Sequence, residues 1–424
     1  MVLSLLGHRI AAKASGASGV QDVTRQLELL GNPTASQYST KPYARNVWDM
    51  ESHGTRIYLG SGNSSNKGPS RNAGPVHVYY YDTVKGQFVD QFVTTEEQIE
   101  RYVKLGDRLY IPGHDPQKDS PTSIYSLNPT TDTWERIPIE GEHIFDLAEF
   151  NRQVLVGRGI RVTESQVLAA ADANQFYQQA PQWIYRIVPT QGTETWRIYN
   201  LFNIGSALMA AGEPALLSGQ AGLFTYNAAS TQWLTVDPTT LFPGAPATIP
   251  AQSYTIRRDA TLNGTLLYIG SAIHNDQQHI PFGLYRASST AQSIPIALDP
   301  GFVPTDVMVK SGTAFVLAVH QEASGTFRNR VYQSTNLVDW SRLFEFTRPA
   351  FARSFETVNG DFYFGMGIDW KNEAQRRNYT FNGAVEEAGN IYRVKRTMPQ
   401  AKPSPTFSPP PRFLLMPSAS SRLS

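Results

Sequence analysis

One short pattern recurs along the chain: a turn that usually contains glycine, then an apolar strand that usually ends in glycine. Clear copies are Gly54–Gly60, Gly106–Pro112 and Gly264–Gly270. Successive copies are 45 to 62 residues apart, counted between their central residues. Those central residues are Tyr58, Tyr110, Leu155, Leu217, Tyr268, Phe315 and Tyr363. A period near 50 residues, with strand and turn chemistry, is typical of propeller blades.

A second pattern follows each copy: an aromatic-bearing strand, a polar turn and usually a Trp or Phe. Tyr125–Trp134 and Tyr332–Trp340 show it well, and it predicts the outer hairpin of each blade. The segments before each copy are then predicted to be innermost strands. They are Asn46–Met50, Ile99–Val103, His143–Leu147, Ser206–Met209, Tyr254–Arg257, Thr305–Val309 and Ser354–Val358. The sequence therefore predicts an all-β, seven-bladed β-propeller over residues 35–398.

The two ends differ from the repeats. Val20, Val23, Leu27 and Leu30 follow helical spacing, so residues 1–34 are predicted to form an N-terminal arm with a short helix. Residues 399–424 form a proline-rich C-terminal tail that favours polyproline II and resists strand pairing. Two interpretations stay open: both ends are linkers, or both dock on neighbouring subunits.

Composition narrows the class of protein. The 424 residues carry a net charge of +1 and no cysteine, which excludes a disulfide-stapled scaffold, a thiol nucleophile and a Cys-ligated metal. The balanced charge does not favour nucleic acid, and no apolar run is long enough for membrane insertion. His274 and His279 are too weak a pattern for a metal site, and we expect no cofactor.

Polar and aromatic residues that could bind a ligand fall on the predicted rim loops and inner strands. The candidates are Asp49, Arg101, His114, Asp115, His143, Asp146, His274, Asp369 and Trp370. Such residues suit a polar ligand such as a surface glycan, with stacking on Trp370. Equally, channel carboxylates and arginines can simply satisfy one another and the backbone. We predict no catalytic residue.

One hairpin links the sequence to a known family. Ser334-Thr-Asn336-Leu-Val-Asp-Trp340 resembles the Asp-box of sialidase-like (BNR) propellers, with Asn336 in the place of Asp and Leu337 in the place of Gly. Residues 46–159 are similar to bacterial and phage-borne members of that group. The resemblance implies a structural role for Ser334, Asn336 and Trp340. Tyr185–Pro189 interrupts the family's Arg-Ile-Pro motif, so no catalytic role is transferred.

These observations lead to a functional hypothesis: a non-enzymatic structural or binding propeller of a phage virion, in its tail or host-contact region. It would contact neighbouring subunits through residues 1–34 and 399–424 and present a polar, glycan-binding rim. One alternative is a sialidase-like glycoside hydrolase. A second alternative is a cytoplasmic protein-interaction scaffold.

Overall fold

The structure is a computed structural model of the full chain. It describes residues 19–64, 72–117, 120–139, 143–159, 165–178, 181–188, 197–213, 222–248, 254–274, 278–369 and 383–395. Residues 1–18 of the predicted arm (1–34) and the tail at 399–424 lie outside these ranges, so their docking stays a prediction. None of the helices in the described ranges is long and apolar enough to cross a membrane.

Strands dominate the described chain. In chain order they are Leu27–Gly31 (β1), Met50–His53 (β2), Arg56–Leu59 (β3), His77–Asp82 (β4), Gln87–Val93 (β5), Val103–Leu105 (β6), Arg108–Pro112 (β7), Ser123–Asn128 (β8), Thr133–Pro138 (β9), His143–Phe150 (β10), Gln153–Gly159 (β11), Ser165–Ala170 (β12), Trp183–Val188 (β13), Arg197–Ile204 (β14), Ala207–Glu213 (β15), Leu223–Asn227 (β16), Gln232–Thr235 (β17), Tyr254–Leu262 (β18), Thr265–His274 (β19), Gln278–Ala287 (β20), Ile294–Ile296 (β21), Val303–Lys310 (β22), Thr313–Gln321 (β23), Phe327–Ser334 (β24), Ser341–Arg348 (β25), Phe351–Val358 (β26), Asp361–Gly367 (β27) and Ile391–Val394 (β28). The helical elements are short. They are the α-helices Ala173–Tyr177 (α1) and Pro238–Leu241 (α2) and the 3-10 turns Thr24–Gln26, Pro42–Arg45 and Val385–Glu387.

The strands form antiparallel sheets around a central channel, so the predicted β-propeller fold is confirmed. The inner strands β2, β6, β10, β14, β18, β22 and β26 supply the residues that line this channel or flank it directly. Four of the sheets are β2–β5, β6–β9, β18–β21 and β22–β25, and each follows chain order from the channel outward. A fifth consists of β26, β27, β28 and, at its outer edge, β1.

The remaining strands overturn the prediction of seven blades. β10 to β17 form one eight-stranded sheet, because the end of β11 pairs with the start of β14 through Gly159 and Arg197. The described chain therefore has five four-stranded blades and one eight-stranded sheet. The prediction that Ser206–Met209 is an inner strand is also wrong: the inner strand is β14, and Ala207–Glu213 is the second strand. The pattern of repeats also predicts a long rim loop from Arg158 to Gln182, and the structure places β12 and α1 within it.

The predicted N-terminal helix is wrong as well. Residues 27–31 form β1, which pairs antiparallel with β28 from the other end of the chain, Leu27 opposite Val394. Just before β1, the N–H of Val23 donates to the carbonyl of Glu345 in β25 at 2.8 Å, and Glu345 N–H donates back to Gln21 at 2.9 Å. The N-terminal segment therefore bridges two outer sheet edges and closes the ring.

Neighbouring sheets pack face to face through the residues of the repeat. Tyr58 and Tyr110 are fully buried, and the Tyr58 ring meets Trp134 of the next sheet edge-on at 5.8 Å. The glycine that ends most copies allows this approach. A Cβ on Gly60 would come within 2.5 Å of the Ile99 carbonyl oxygen, and within the eight-stranded sheet a Cβ on Gly157 would come within 2.9 Å of the Ile198 oxygen. The repeat pattern thus encodes the contact between sheets as well as the strand.

Candidate functional site

Bulges in the inner strands determine which side chains reach the channel. In β10, β14, β22 and β26 one extra residue enters the ladder at a similar level: Phe145, Tyr199, Thr305 and Arg353. In β18 the bulge lies between Ile256 and Asp259. A bulge breaks the strict alternation of a strand and re-aims side chains. Consecutive residues such as Arg257 and Arg258 therefore line the same cavity.

Carboxylates at this level join neighbouring inner strands. Asp146 accepts hydrogen bonds from its own neighbour Leu147 and from Leu201 of β14, both at 2.9 Å. Asp306 does the same with Val307 at 2.9 Å and Phe355 of β26 at 3.0 Å.

Two further carboxylates repeat the arrangement. Glu356 accepts from Thr357 at 2.7 Å and from Ser52 of β2 at 2.8 Å, and Asp49 accepts from Tyr102 at 2.6 Å. Because one N–H donor to each carboxylate lies on or directly beside the adjacent inner strand, each carboxylate joins two neighbouring inner strands at the channel. These donors are the N–H groups of Leu201, Phe355, Ser52 and Tyr102. We call this arrangement the carboxylate clasp.

Two arginines lie across the channel between the clasps. Arg101 Nη1 is 2.7 Å from Asp146 Oδ2, and its Nη2 is 3.3 Å from Asp259 Oδ1. Arg258 lies 3.8 Å from Asp49 and 3.7 Å from Asp306, and it donates to the Glu100 carbonyl at 3.0 Å. Four carboxylates thus share two guanidinium groups in the middle of the channel.

Burial affects the pKa values of two carboxylates and two arginines that meet in the middle of the channel. It raises the pKa of Asp146 to about 6, because Arg101 offsets only part of the desolvation. It raises the pKa of Asp306 to about 7, with Arg258 opposing the shift and Asp49 adding to it. Burial lowers the pKa of Arg258. For Arg101, burial disfavours the cation, but Asp146 and Asp259 more than compensate and the pKa is raised.

The arginines divide the channel into two unequal spaces. Arg101 and Arg258 line both a cavity of about 710 Å³ and a cavity of about 30 Å³. The large cavity is lined by the later residues of the inner strands, for example Leu147 to Glu149 of β10 and Val307 to Lys310 of β22. It therefore opens toward the tight turns between first and second strands, and the arginine layer is its floor. We call this cavity the cup.

The cup wall carries ionisable side chains of both signs. Lys310 Nζ lies 2.9 Å from Glu356 and 3.7 Å from Glu51, and it donates to the Ser52 hydroxyl at 2.9 Å. Burial and then the neighbouring Glu356 charge raise the pKa of Glu51 to about 8. Burial opposes the charge of Lys310, but the two glutamates outweigh it and the pKa of Lys310 is raised.

The small cavity lies at the other mouth, where several predicted residues meet. His114 Nδ1 is 3.7 Å from Glu100, and His143 Nδ1 is 3.3 Å from Asp115. Phe145 stands between the two imidazoles, with ring centroids at 5.1 and 5.5 Å. Burial lowers the pKa of His114. A space of about 30 Å³ suits a water molecule and not a larger ligand.

Trp48 also lies at this mouth. The Arg353 guanidinium lies 4.4 Å from the Trp48 ring centroid and pairs with Asp369. The Trp48 indole N–H donates to the Gly62 carbonyl at 2.7 Å. Tryptophan, arginine and aspartate here form a packed contact between the first and last sheets.

The structure separates the predicted ligand-binding residues into two groups. Asp49, Arg101 and Asp146 belong to the floor of the cup. His114, Asp115, His143 and Asp369 lie at the opposite mouth. Trp370 and the His274 side chain lie outside the described residues, so their roles stay predictions.

The predicted Asp-box-like hairpin connects β24 and β25, far from the channel. The Ser334 hydroxyl accepts from Leu337 N–H at 2.8 Å, and Asn336 Oδ1 accepts from Val338 and Asp339 N–H, both at 2.9 Å. Leu337 has a φ of +58° and is buried, and Trp340 packs beside the same apolar cluster. The polar side chains thus bind the turn backbone.

Sequence reasoning missed Arg258, Asp259, Glu51 and Lys310. Strict alternation along a strand would place only one of Arg257 and Arg258 on the channel side, and the bulge in β18 lets both line it. Glu51 and Lys310 flank predicted turns, where a charged residue usually signals only solvent exposure. Within the ranges that the structure describes, no group of three or more His, Asp or Glu side chains could hold a metal ion.

Comparisons with known proteins add little beyond the fold. The sequence matches no protein-family profile and no curated protein. Among solved structures, the chain is similar to the Neurospora crassa Pan2 WD40 domain, with 12% identity, a TM-score of 0.49 and coverage of 89% of this chain and 98% of that one. A chain of the mitotic checkpoint complex has 9% identity and a TM-score of 0.47, with coverage of 86% and 95%.

A third similar structure is the β-propeller domain of the trilobed protease from Pyrococcus furiosus. It has 9% identity and a TM-score of 0.43, with coverage of 75% of this chain and 90% of that one. Of the sialidase-like resemblance, only the β-propeller fold is confirmed, by the arrangement of the sheets around the channel. The fold does not establish a function, so the chemistry must be argued from the channel itself.

Proposed function

We propose that this chain is a non-enzymatic binding propeller that holds a polar ligand in the cup. The cup itself carries the proposal: about 710 Å³ of space, floored by Arg101 and Arg258 and lined by charged side chains. Pockets of 300–1,000 Å³ are typical of small-molecule sites, where a few convergent polar groups determine orientation.

The floor carboxylates support binding rather than catalysis. Asp146 and Asp306 each accept two backbone hydrogen bonds and face an arginine. A carboxylate so engaged holds the fold together and is poorly placed to exchange protons with a substrate. The ligand would therefore contact the cup wall above these groups.

The test uses the full chain and a substitution that blocks the cup. Thr261 is exposed and lines the cup, so Thr261→Trp fills its mouth while leaving the buried core intact. Thr130→Trp, on an exposed turn between β8 and β9, is the matched control. Neutral and sialylated oligosaccharides and small polar amines are titrated by calorimetry.

We expect at least one probe to bind, Thr261→Trp to weaken that binding at least tenfold, and Thr130→Trp to leave it unchanged. Binding that is insensitive to Thr261→Trp, or no binding to any probe, would overturn the proposal.

One observation favours a second candidate, glycoside hydrolysis. Glu51, whose pKa is raised to about 8, lies beside Glu356, and a protonated carboxyl next to a second carboxyl is the pairing that glycosidases use. Lys310 lies between the two and already neutralises part of their charge. Release of nitrophenol from aryl glycosides by the wild type but not by Glu51→Gln would favour this candidate.

We further propose that the propeller works within a multi-subunit particle such as a phage virion. Its support is the composition of residues 1–18 and 399–424, which suits docking on neighbours, whereas residues 19–31 pair with this chain's own sheets. Co-sedimentation of the chain with a particle from its native source tests this, and a chain found only free in the cytoplasm would contradict it.

A further inference from the structure

We propose that the cup selects a cationic ligand that carries an ammonium group, either a free polyamine or the side chain of a lysine. This inference rests on the proposed function, because it names the ligand class of the same cavity.

The charge of the cup lining carries the inference. Among the residues that the structure describes, seven carboxylates line the cavity together with four cationic side chains, a formal excess of three negative charges. The carboxylates are Asp49, Glu51, Asp146, Glu149, Asp259, Asp306 and Glu356, and the cations are Arg101, Lys104, Arg258 and Lys310. The whole chain has a net charge of +1, so the excess is local to the cup. A cleft with a net excess of one sign of charge attracts counter-ions of the other sign.

Carboxylates outnumber cationic groups both on the floor and on the wall of the cup. On the floor, two guanidinium groups pair with four carboxylates. On the wall, Lys310 serves both Glu51 and Glu356. Arg101, Arg258 and Lys310 are thus each shared between two carboxylates, and an added cation would find acceptors on the wall.

The wall already binds ammonium groups that belong to the chain. Lys104 Nζ donates to the Ser52 carbonyl at 3.2 Å, and Lys310 Nζ donates to the Ser52 hydroxyl at 2.9 Å. An ammonium has three donors and no acceptor, so a wall of carboxylate, carbonyl and hydroxyl oxygens suits it. The same wall offers an anionic ligand only Lys104 and Lys310.

Protonation gives the inference a second readout. The carboxyls of Glu51 and Asp306 have pKa values raised to about 8 and 7, so both hold protons near neutrality for part of the time. A bound cation stabilises the ionised carboxylates and lowers their pKa. Binding near pH 7.5 must therefore release protons to the buffer.

The experiment is calorimetric titration of the full chain at about pH 7.5 in two buffers that differ in ionisation enthalpy. Spermidine and the peptide Gly-Lys-Gly are separate probes, which distinguish a free polyamine from a lysine side chain, and maltotriose is the neutral comparison. We expect one of the two amines to bind at least tenfold tighter than maltotriose, with an apparent enthalpy that depends on the buffer and an affinity that falls with salt.

Matched variants assign the binding to the cup. Glu51→Gln removes one wall carboxylate and should weaken amine binding at least fivefold and reduce proton release. Glu386→Gln, at an exposed acidic position away from the channel, should change neither. A thermal melt of Glu51→Gln checks that the variant remains folded.

The results that would contradict cation selectivity differ from those that would contradict ligand binding in the cup. If maltotriose or a sialylated sugar binds, is blocked by Thr261→Trp and outcompetes both amines, cation selectivity is wrong and the cup remains a binding site. If amines bind without sensitivity to Glu51→Gln and Thr261→Trp, the site lies elsewhere and the inference is wrong. If no probe binds, both proposals fail.

Discussion

The carboxylate of Asp146 accepts a hydrogen bond from the backbone N–H of Leu201, 2.9 Å away, and so joins β10 to β14. The same carboxylate pairs with Arg101 at 2.7 Å. One buried side chain thereby connects two inner strands to the cation that crosses the channel.

Removing this carboxylate should destabilise the protein strongly. We expect Asp146→Ala to lower the free energy of unfolding by about 3–5 kcal/mol, because it leaves Arg101 and a buried N–H without their partner. Asp146→Asn should cost less, since one oxygen can still accept. Urea unfolding of the full chain measures both. Asp107→Asn, at an exposed turn, is the control, and equal losses in all three variants would contradict the clasp.

Asp306 should make stability depend on pH. Burial raises its pKa to about 7, well above its value of about 3.9 in an unfolded chain. The folded state thus binds this proton more tightly, and the stability it provides is fully present below about pH 4 and lost as pH rises through about 7. We expect the stability advantage of the wild type over Asp306→Asn to shrink between about pH 5 and pH 8.

A carboxylate with the opposite shift is the control for this pH series. A hydrogen bond from the Lys85 backbone lowers the pKa of Asp82. The stability that Asp82 contributes is therefore lost only when the pH falls below the range from about pH 5 to pH 8. The difference between wild type and Asp82→Asn should therefore stay constant from about pH 5 to pH 8. A flat difference for Asp306→Asn would show that this carboxyl titrates normally.

The β24–β25 turn should depend on Asn336. Its side-chain oxygen accepts from two backbone N–H groups, each at 2.9 Å, and alanine offers no acceptor. We expect Asn336→Ala to reduce stability by about 1 kcal/mol, because water replaces these bonds only in part at a surface turn. Val338→Ala, at an exposed residue of the same turn, should change the unfolding midpoint little. The reverse order would show that the turn is held by its apolar contacts.

Closure of the ring should depend on Val23. This side chain is buried among residues of β23, β25 and β27, while Leu29 of β1 is 55% exposed. We expect Val23→Ala to cost about 1–3 kcal/mol and to speed proteolysis near the N-terminal segment. Leu29→Ala should be close to neutral. If both variants resist protease like the wild type, the segment contributes little to closure.

The repeat could be predicted from the sequence because each copy follows the same local pattern of turn and apolar positions. Tyr58, Tyr110, Tyr268 and Tyr363 are all buried in second strands, where the pattern of apolar positions predicted them. The number of blades could not be predicted in the same way. Pairing of Gly159 with Arg197 merges two groups of strands, and nothing in either local sequence signals a contact between segments so far apart.

The helix prediction failed for a related reason. Val23, Leu27 and Leu30 are spaced like a helix face, but residues 27–31 have a strand partner at the opposite end of the chain. A tertiary partner outweighs a local preference of a few tenths of a kcal/mol per residue, roughly the range of propensity differences.

The sequence predicted which types of residue line the channel, but it did not predict where each of them lies. Asp49, Arg101 and Asp146 were expected to face the channel, and they do. Their partner Arg258 was not expected, because the bulge in β18 shifts the alternation by one residue. The cup opens on the face of short turns, whereas the sequence drew attention to the face of long loops.

The pairing of β1 with β28 has a consequence for biosynthesis. Glu28 and Arg393, which bond across these strands, are 365 positions apart, so β1 leaves the ribosome long before its partner β28. The intermediate sheets consist of strands close in sequence and can form as they are made. During translation the edge of β1 is therefore a hydrogen-bonding surface without its native partner, and a chaperone that shields residues 19–31 would act at the stage when this chain is most prone to aggregate.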